Sequence, residues 1–296
     1  MKKSTLLVLL FPIILFSQEY QSKFYALFKS KDSDKKEMED LLSQWKTNSK
    51  NDIDYYIAAF NYYYTQSKQE TLSLSSDAPA EEKESLQIKD SLNNVVGYLS
   101  SRETINDSLY KLSQKTIDEA IVLFPKRLDL RFGKIHTLGD LGDYETFSKN
   151  IIETIDYSIK INHSWLWAEN KVLEDSENFF IDAIQRYSNT LYQNKSDENL
   201  KKVAGKMYNT FPNDIYVIST YGITFLLENK NKEALELYLK AEKINPEDPI
   251  VLNNIALIYE RLENKKNAIL YYNKLYDVGD EKTKAFAANK IKSLTE

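Results

Sequence analysis

Apolar residues recur at helical spacing over most of this chain, and the places where that spacing breaks are as informative as the places where it holds. From Asp34 to Trp45 the positions Met38, Leu41, Leu42 and Trp45 share one face, which predicts an amphipathic helix preceded by a polar N-terminal segment. Asp52 caps an aromatic helix, Tyr55 to Tyr64, and Asn106 opens another from Leu109 to Leu123 that stops at Phe124-Pro125. Between Gln69 and Arg102 the period changes to two. Thr71–Ser75, Ser85–Lys89 and Val95–Leu99 alternate and are separated by turn residues, Asp77-Ala78-Pro79 and Asp90 to Asn94. Three short strands in that order predict a small antiparallel meander, which leans on neighbouring helices because it is marginal alone.

Downstream, the prolines set a ruler. Phe211-Pro212 and Asn245-Pro246 recur at a spacing of about 34 residues, one of the periods that mark a helical repeat. In the register they define, a unit from Ile215 carries Tyr221-Gly222, Phe225, Ala234, Tyr238 and Ala241. The next, from Pro249, carries Leu252, Ile255-Ala256, Tyr259, Ala268, Tyr272 and Leu275. A unit from Ile181 to Asp214 keeps the apolar positions but has lost most of the aromatic and small ones. Small residues at fixed positions let two helices approach, and aromatics fill the space between neighbouring pairs; one pair cannot bury its apolar face alone.

Period and residue types together resemble the tetratricopeptide repeat. The segment Gly142-Asp143-Tyr144-Glu145-Thr146-Phe147 is similar to that family's joint between paired helices, with Phe147 where alanine is usual. The resemblance implies a mainly α fold, an antiparallel helix-pair solenoid with a β-strand insertion near residues 69–102. It divides the chain into residues 18–127, a helical region with that insertion; 128–180, a further repeat plus a wedge at Asn162 to Asp175; 181–280, three repeats; and 281–296, a capping helix.

The N-terminus adds a location. Lys2-Lys3, an apolar run from Leu6 to Phe16 and the return of polar residues at Ser17 have the layout of a secretory signal, residues 1–17, with cleavage after Ser17. The run is too short, and broken by Pro12, to span a bilayer, where about twenty apolar residues are needed. The expected protein is exported, periplasmic or secreted, and has no membrane span after cleavage. With no cysteine it has no disulfide framework. A net charge of −5, interspersed along the chain, argues against nucleic acid.

No residue pattern points to catalysis. His136 and His163 stand in no metal-binding spacing, seven glycines make no phosphate loop, and acidic pairs such as Asp140 with Asp143 or Glu81-Glu82 sit in expected turns and helix starts. The expectation is a protein that is not an enzyme, with no cofactor and no metal. Binding is the stronger reading. In tetratricopeptide proteins the first helix of each pair lines the ligand groove. Carried onto this sequence, the resemblance implies partner contacts at Asn189 and Tyr192, at Tyr216, Ser219, Ile223 and Leu226, and at Ile250, Asn253, Leu257 and Glu260, with Asp182 and Gln185 at the start of the row. The lysines that grip a peptide carboxylate in some members are missing there. The mixture of amides and aliphatics suits another protein or peptide, extended or helical.

His163-Ser164-Trp165-Leu166-Trp167 lies outside the repeats; Trp165 and Trp167 are candidate anchors for a partner, beside the ordinary structural reading of a tryptophan that closes the seam between two repeat blocks. Asp90-Ser91-Leu92 and Asp107-Ser108-Leu109 resemble acceptor triplets for O-glycosylation in exported bacterial proteins. A second functional class stays open: tyrosine and tryptophan content with interrupted repeats resembles starch-binding envelope proteins, which implies glycan binding, although their lipid-anchoring cysteine is absent here.

Overall fold

The structure, a computed structural model, describes residues 11–30, 34–78 and 85–296, with residues 11–17 as backbone only. The start of the expected signal, Met1 to Leu10, and the residues Pro79, Glu81 and Glu82 lie outside the described residues. The chain divides into two compact regions, with the boundary in sequence between Lys134 and Ile135.

The first region begins with helix α1, Phe11–Lys29, which takes in the end of the apolar run and continues through the segment after Ser17, where the sequence suggested only a polar N-terminus. Phe24 is buried, and Tyr20, Leu27 and Phe28 pack on the same cluster, so the apolar stripe is real but short and sparse among polar residues. Cleavage after Ser17 would fall inside α1, ahead of every one of these contacts. Helix α2, Lys35–Asn48, is capped by Asp34 and buries Met38, Leu41, Leu42 and Trp45. Helix α3 spans Ile53–Ser67. Trp45 joins the three helices: its ring stacks on Tyr20 at 6.0 Å and meets Tyr55 edge-on at 6.1 Å. Its indole Nε1 donates to Asp52 at 2.7 Å, and the same carboxylate caps α3 by accepting from Asp54 N at 3.0 Å.

Three strands follow, β1 (Lys68–Ser75), β2 (Ser85–Lys89) and β3 (Val95–Ile105), then helix α4, Asp107–Leu123. The strands are antiparallel in the order β1-β3-β2, which corrects the expected meander. The reason lies at the base of the insertion. Helices α3 and α4 pack together, so the chain leaving one and entering the other runs side by side, and Asn106 N donates to Ser67 O at 2.8 Å. From there β1 and β3 pair from Lys68↔Ile105 to Ser75↔Tyr98, leaving β2 the outer edge of β3. Register aligns Leu74, Leu99 and Leu86 across the three strands, and Leu72, Leu74 and Leu86 remain exposed at 75%, 71% and 70%.

Helix α5, Leu128–Asp140, crosses from the first region into the second. Then come α6 (Tyr144–Lys160), a loop with a single 3-10 turn at Ala168–Asn170, α7 (Ser176–Gln193), α8 (Asp197–Thr210), α9 (Ile215–Leu227), α10 (Asn231–Ile244), α11 (Pro249–Arg261), α12 (Lys265–Val278) and α13 (Glu281–Thr295). Helix α9 starts as far before α11, and α10 as far before α12, as Pro212 stands before Pro246. Asp214, Asp248, Asn264 and Asp280 accept from backbone N–H groups at the starts of α9, α11, α12 and α13. The turns within pairs repeat as well. Lys195, Asn229 and Glu263, spaced by that same period, have φ of 55°, 57° and 57°, and Gly142 serves the same turn with φ of 72°.

The small residues explain the spacing of the helices. Ala234, Ala241, Ala256 and Ala268 are fully buried. A Cβ on Gly222 would stand 2.8 Å from Tyr238 Cε2, and that ring is fixed by burial and by its hydroxyl donating to Ser219 O at 3.1 Å. At Gly205 the nearest atom would lie at 3.4 Å, an ordinary contact. Gly222→Ala is therefore expected to destabilise by about 1–3 kcal/mol through overpacking. Gly205→Ala should be neutral or gain up to about 1 kcal/mol from helix propensity. Urea denaturation of both variants checks the contrast, and equal midpoints would contradict it.

Burial also raises the pKa of Tyr55, Tyr187, Tyr238, Tyr271 and Tyr272, and pushes Tyr62 up to about 12. A phenol whose folded pKa lies above its unfolded value contributes stability that is complete below about pH 10 and is lost as pH rises beyond it. Alkaline titration followed at the tyrosinate absorption band should show the exposed tyrosines ionising first. The buried set should follow in one step coincident with loss of helical circular dichroism; ionisation of all tyrosines in a single non-cooperative step would contradict this.

Candidate functional site

Helices α7, α9 and α11 are the first members of their pairs. A hydrogen bond from Thr220 Oγ1 to Gln185 Oε1 at 2.8 Å ties α9 to α7, and Arg261 on α11 reaches Leu226 O on α9 at 3.4 Å. Each helix buries one face: Phe180, Ala183, Ile184 and Leu191 on α7, Val217, Ile218 and Gly222 on α9, and Val251, Leu252, Ile255 and Ala256 on α11. The candidate residues lie off those faces. Asp182, Asn189 and Tyr192 are exposed on α7; Tyr216 is exposed and Ser219, Ile223 and Leu226 half-buried on α9; Ile250 is exposed and Asn253 and Leu257 half-buried on α11.

These positions differ in what they are free to do. Gln185 is spent on the α7–α9 hydrogen bond, and the Ser219 carbonyl on Tyr238. Glu260 accepts from the Tyr272 hydroxyl and pairs with Lys290 of α13 at 2.9 and 3.1 Å, so it holds helices together. Tyr216 and Ile250, at equivalent positions of consecutive repeats, are large apolar side chains exposed at 60% and 62% on successive first helices. Asn253 has an amide oxygen shut off from solvent with no hydrogen-bond partner. Phe286 on α13, 45% exposed, continues this apolar row and was not among the residues the sequence singled out. The signal was present as an aromatic on a helix read only as a cap.

The tryptophan segment resolves into two unlike residues. Trp165 is fully buried, stacks on Phe180 at 6.1 Å, and donates from Nε1 to Ser158 Oγ at 2.9 Å. That corrects its candidacy as a partner contact, because no part of the ring reaches the surface. The loop presents it inward by folding back on itself: Leu173 N donates to Trp165 O and Trp167 N to Lys171 O, with Leu166 bridged to Val172. Trp167 is half-buried, edge-on to Phe179 at 5.2 Å, and keeps surface available.

His163 is used locally, its Nδ1 2.9 Å from Ser158 Oγ and its ring 5.1 Å from Phe211. His136 is exposed, 3.7 Å from Asp140, and Asp143 caps α6 through Thr146 N. Among the described residues no group of three or more His, Asp and Glu side chains could hold a metal ion, and no helix is long and apolar enough to cross a membrane. What the surface of α7, α9, α11 and α13 can do chemically is bind: apolar side chains for packing, with amide and hydroxyl groups between them for hydrogen bonds.

Comparison with known proteins bears on the repeats. The sequence model of the TPR repeat matches residues 222–263, from the middle of α9 to the turn after α11. A search of curated proteins finds no match. Among solved structures, YrrB, described as a TPR protein with an unusual peptide-binding site, is 12% identical and aligns over 84% of this chain and 97% of its own, with a TM-score of 0.43. MamA from Desulfovibrio magneticus RS-1 (residues 41 to its end) is 15% identical over 57% of this chain and 84% of its own, with a TM-score of 0.38. The repeat match falls on helix pairs that recur at one fixed period, with their small residues buried and their turns repeated in backbone conformation, and the chain therefore carries tetratricopeptide repeats.

Proposed function

We infer that this protein is an exported, non-catalytic scaffold of the cell envelope that binds another protein or peptide along the first helices of its repeats. The observation that carries the reading is the row of large side chains left exposed at equivalent repeat positions, Tyr216 and Ile250, with half-buried Ser219, Ile223, Asn253 and Leu257 between them. Repeat packing accounts for the buried faces of α9 and α11 and leaves the side chains of Tyr216 and Ile250 exposed. A contiguous apolar surface with polar groups interspersed is what a partner chain needs. Export rests on Met1 to Ser17 acting as a cleaved signal, a cut that leaves Tyr20, Phe24 and the rest of the first core in the mature chain.

A photo-crosslinking amino acid placed at position 216 tests the face directly. In intact cells it should give a discrete covalent adduct, whereas the same group at Leu270, exposed on the second helix α12, should give none. Equal adducts at both positions, or none at 216, would remove the support for a groove on the first helices. In the same cells, intact-mass measurement of the purified chain is expected to find Gln18 at its N-terminus, and retention of Met1 would count against export.

A further inference from the structure

In the first region a cleft of about 750 Å³ lies along α4, with Tyr56 of α3 and Val122 and Leu123 of α4 among its walls. A smaller one of about 370 Å³ adjoins it at the turn from α2 to α3, and the two share Asn51 and Tyr56. Their charge runs against that of the whole chain, which is −5. Both carboxylates on the walls are already neutralised, Asp118 by Lys134 at 2.6 Å and Glu119 by Lys46 at 3.2 Å. Lys50, Lys111 and Lys115 stand on the same walls and form no ion pair among the described residues. Val122 and Leu123 add an aliphatic surface, 77% and 41% exposed. Ser49 lines the smaller cleft at 3% exposure, and its hydroxyl has no hydrogen-bond partner. A buried hydroxyl left unpaired lowers stability, so folding gives no reason for a serine there.

We propose that the joined clefts bind an anionic amphiphile, a carboxylate or phosphate head on an aliphatic body. The head accepts hydrogen bonds from the Ser49 hydroxyl and the Lys50 ammonium, which gives the buried hydroxyl the partner it lacks. The aliphatic body covers Val122 and Leu123 beside the Tyr56 ring. Lys111 and Lys115, farther along α4, draw the anion from solution. The combination selects by exclusion: a hydrophilic anion leaves the aliphatic wall uncovered, and a neutral lipid leaves the cations and Ser49 unanswered. A free single-chain amphiphile and a membrane phospholipid share this head-and-tail chemistry. The site lies away from the row of Tyr216 and Ile250 and stands or falls independently of it.

Titration calorimetry of the full chain with dodecyl phosphate, kept below its aggregation concentration, tests this, and one saturable site is expected. Affinity should fall at least tenfold with Lys50→Glu and with Val122→Asp, exposed side chains whose replacement leaves the circular dichroism melt in place. It should also fall severalfold with Ser49→Ala, which removes a hydroxyl that bonds nothing in the free protein and so does not lower the melting temperature. Lys266→Glu, an exposed charge reversal on α12, should change nothing. Inorganic phosphate should bind at least a hundredfold more weakly; equal affinity would overturn the aliphatic half of the site. Flotation with vesicles of phosphatidylcholine and phosphatidylglycerol separates the two sources. Flotation that is lost in Lys50→Glu and Val122→Asp assigns the ligand to the membrane, and dodecyl phosphate binding without flotation assigns it to a free amphiphile. Binding that none of these variants weakens, or no binding to either dodecyl phosphate or vesicles, overturns the proposal.

Discussion

The helix pairs of this protein depend on how near two backbones can come, and the contact of Gly222 with the ring of Tyr238 states the condition most clearly. The ring occupies the volume a β-carbon would need and is pinned by its own hydrogen bond to the Ser219 carbonyl. With α9 and α10 set at that distance, the buried alanines of α10, α11 and α12 can line up, and the next pair docks on a surface of fixed shape. The exposed row on the first helices is a by-product of the same geometry: residues on the far side of each first helix have nothing left to pack against.

The α5–α6 pair obeys the same condition with different residues. Aligned on the left-handed turn that Gly142 shares with Asn229, Phe147 stands where Ala234 stands in the later repeat, and Gly139 where Leu226 stands. A Cβ on Gly139 would fall 2.9 Å from the Phe147 ring. A large side chain has moved from one helix to the other with the combined volume roughly kept, which cores tolerate best. This one close approach is kept although the residues at both positions differ.

That explains what could be read from the sequence and what could not. The later repeats and their common period were legible because proline and small-residue spacing are local signals, as were the caps at Asp52 and Asn106. The three strands were legible for the same reason, by alternation. Their order was not, since it is decided by the packing of α3 on α4, a contact between segments the insertion separates in sequence. Which of the two tryptophans is buried could not be read, because a loop that turns a side chain inward leaves no periodic mark, and here it does so with left-handed residues at Asn162, His163, Glu169 and Asn170. Helix α1 was missed because its apolar stripe is narrow and set among polar residues. The exposed positions on the first helices were singled out through the family resemblance, while Phe286 was not, as it belongs to a helix with no repeat partner.

The β insertion has a consequence for how this chain can vary. Its two ends are already joined at the base, where Asn106 meets Ser67 and the β1–β3 ladder begins. Closing a loop costs entropy that grows only slowly with its length, by about 0.6 kcal/mol for each doubling, and here the closure is made by the helix pair itself. The strands beyond the first rungs of the ladder keep Leu72, Leu74 and Leu86 exposed and so contribute little buried apolar surface to the helices beneath. Such a site accepts lengthening, shortening or replacement over evolutionary time without a new core having to be found, so the sheet is the part of the molecule freest to diverge.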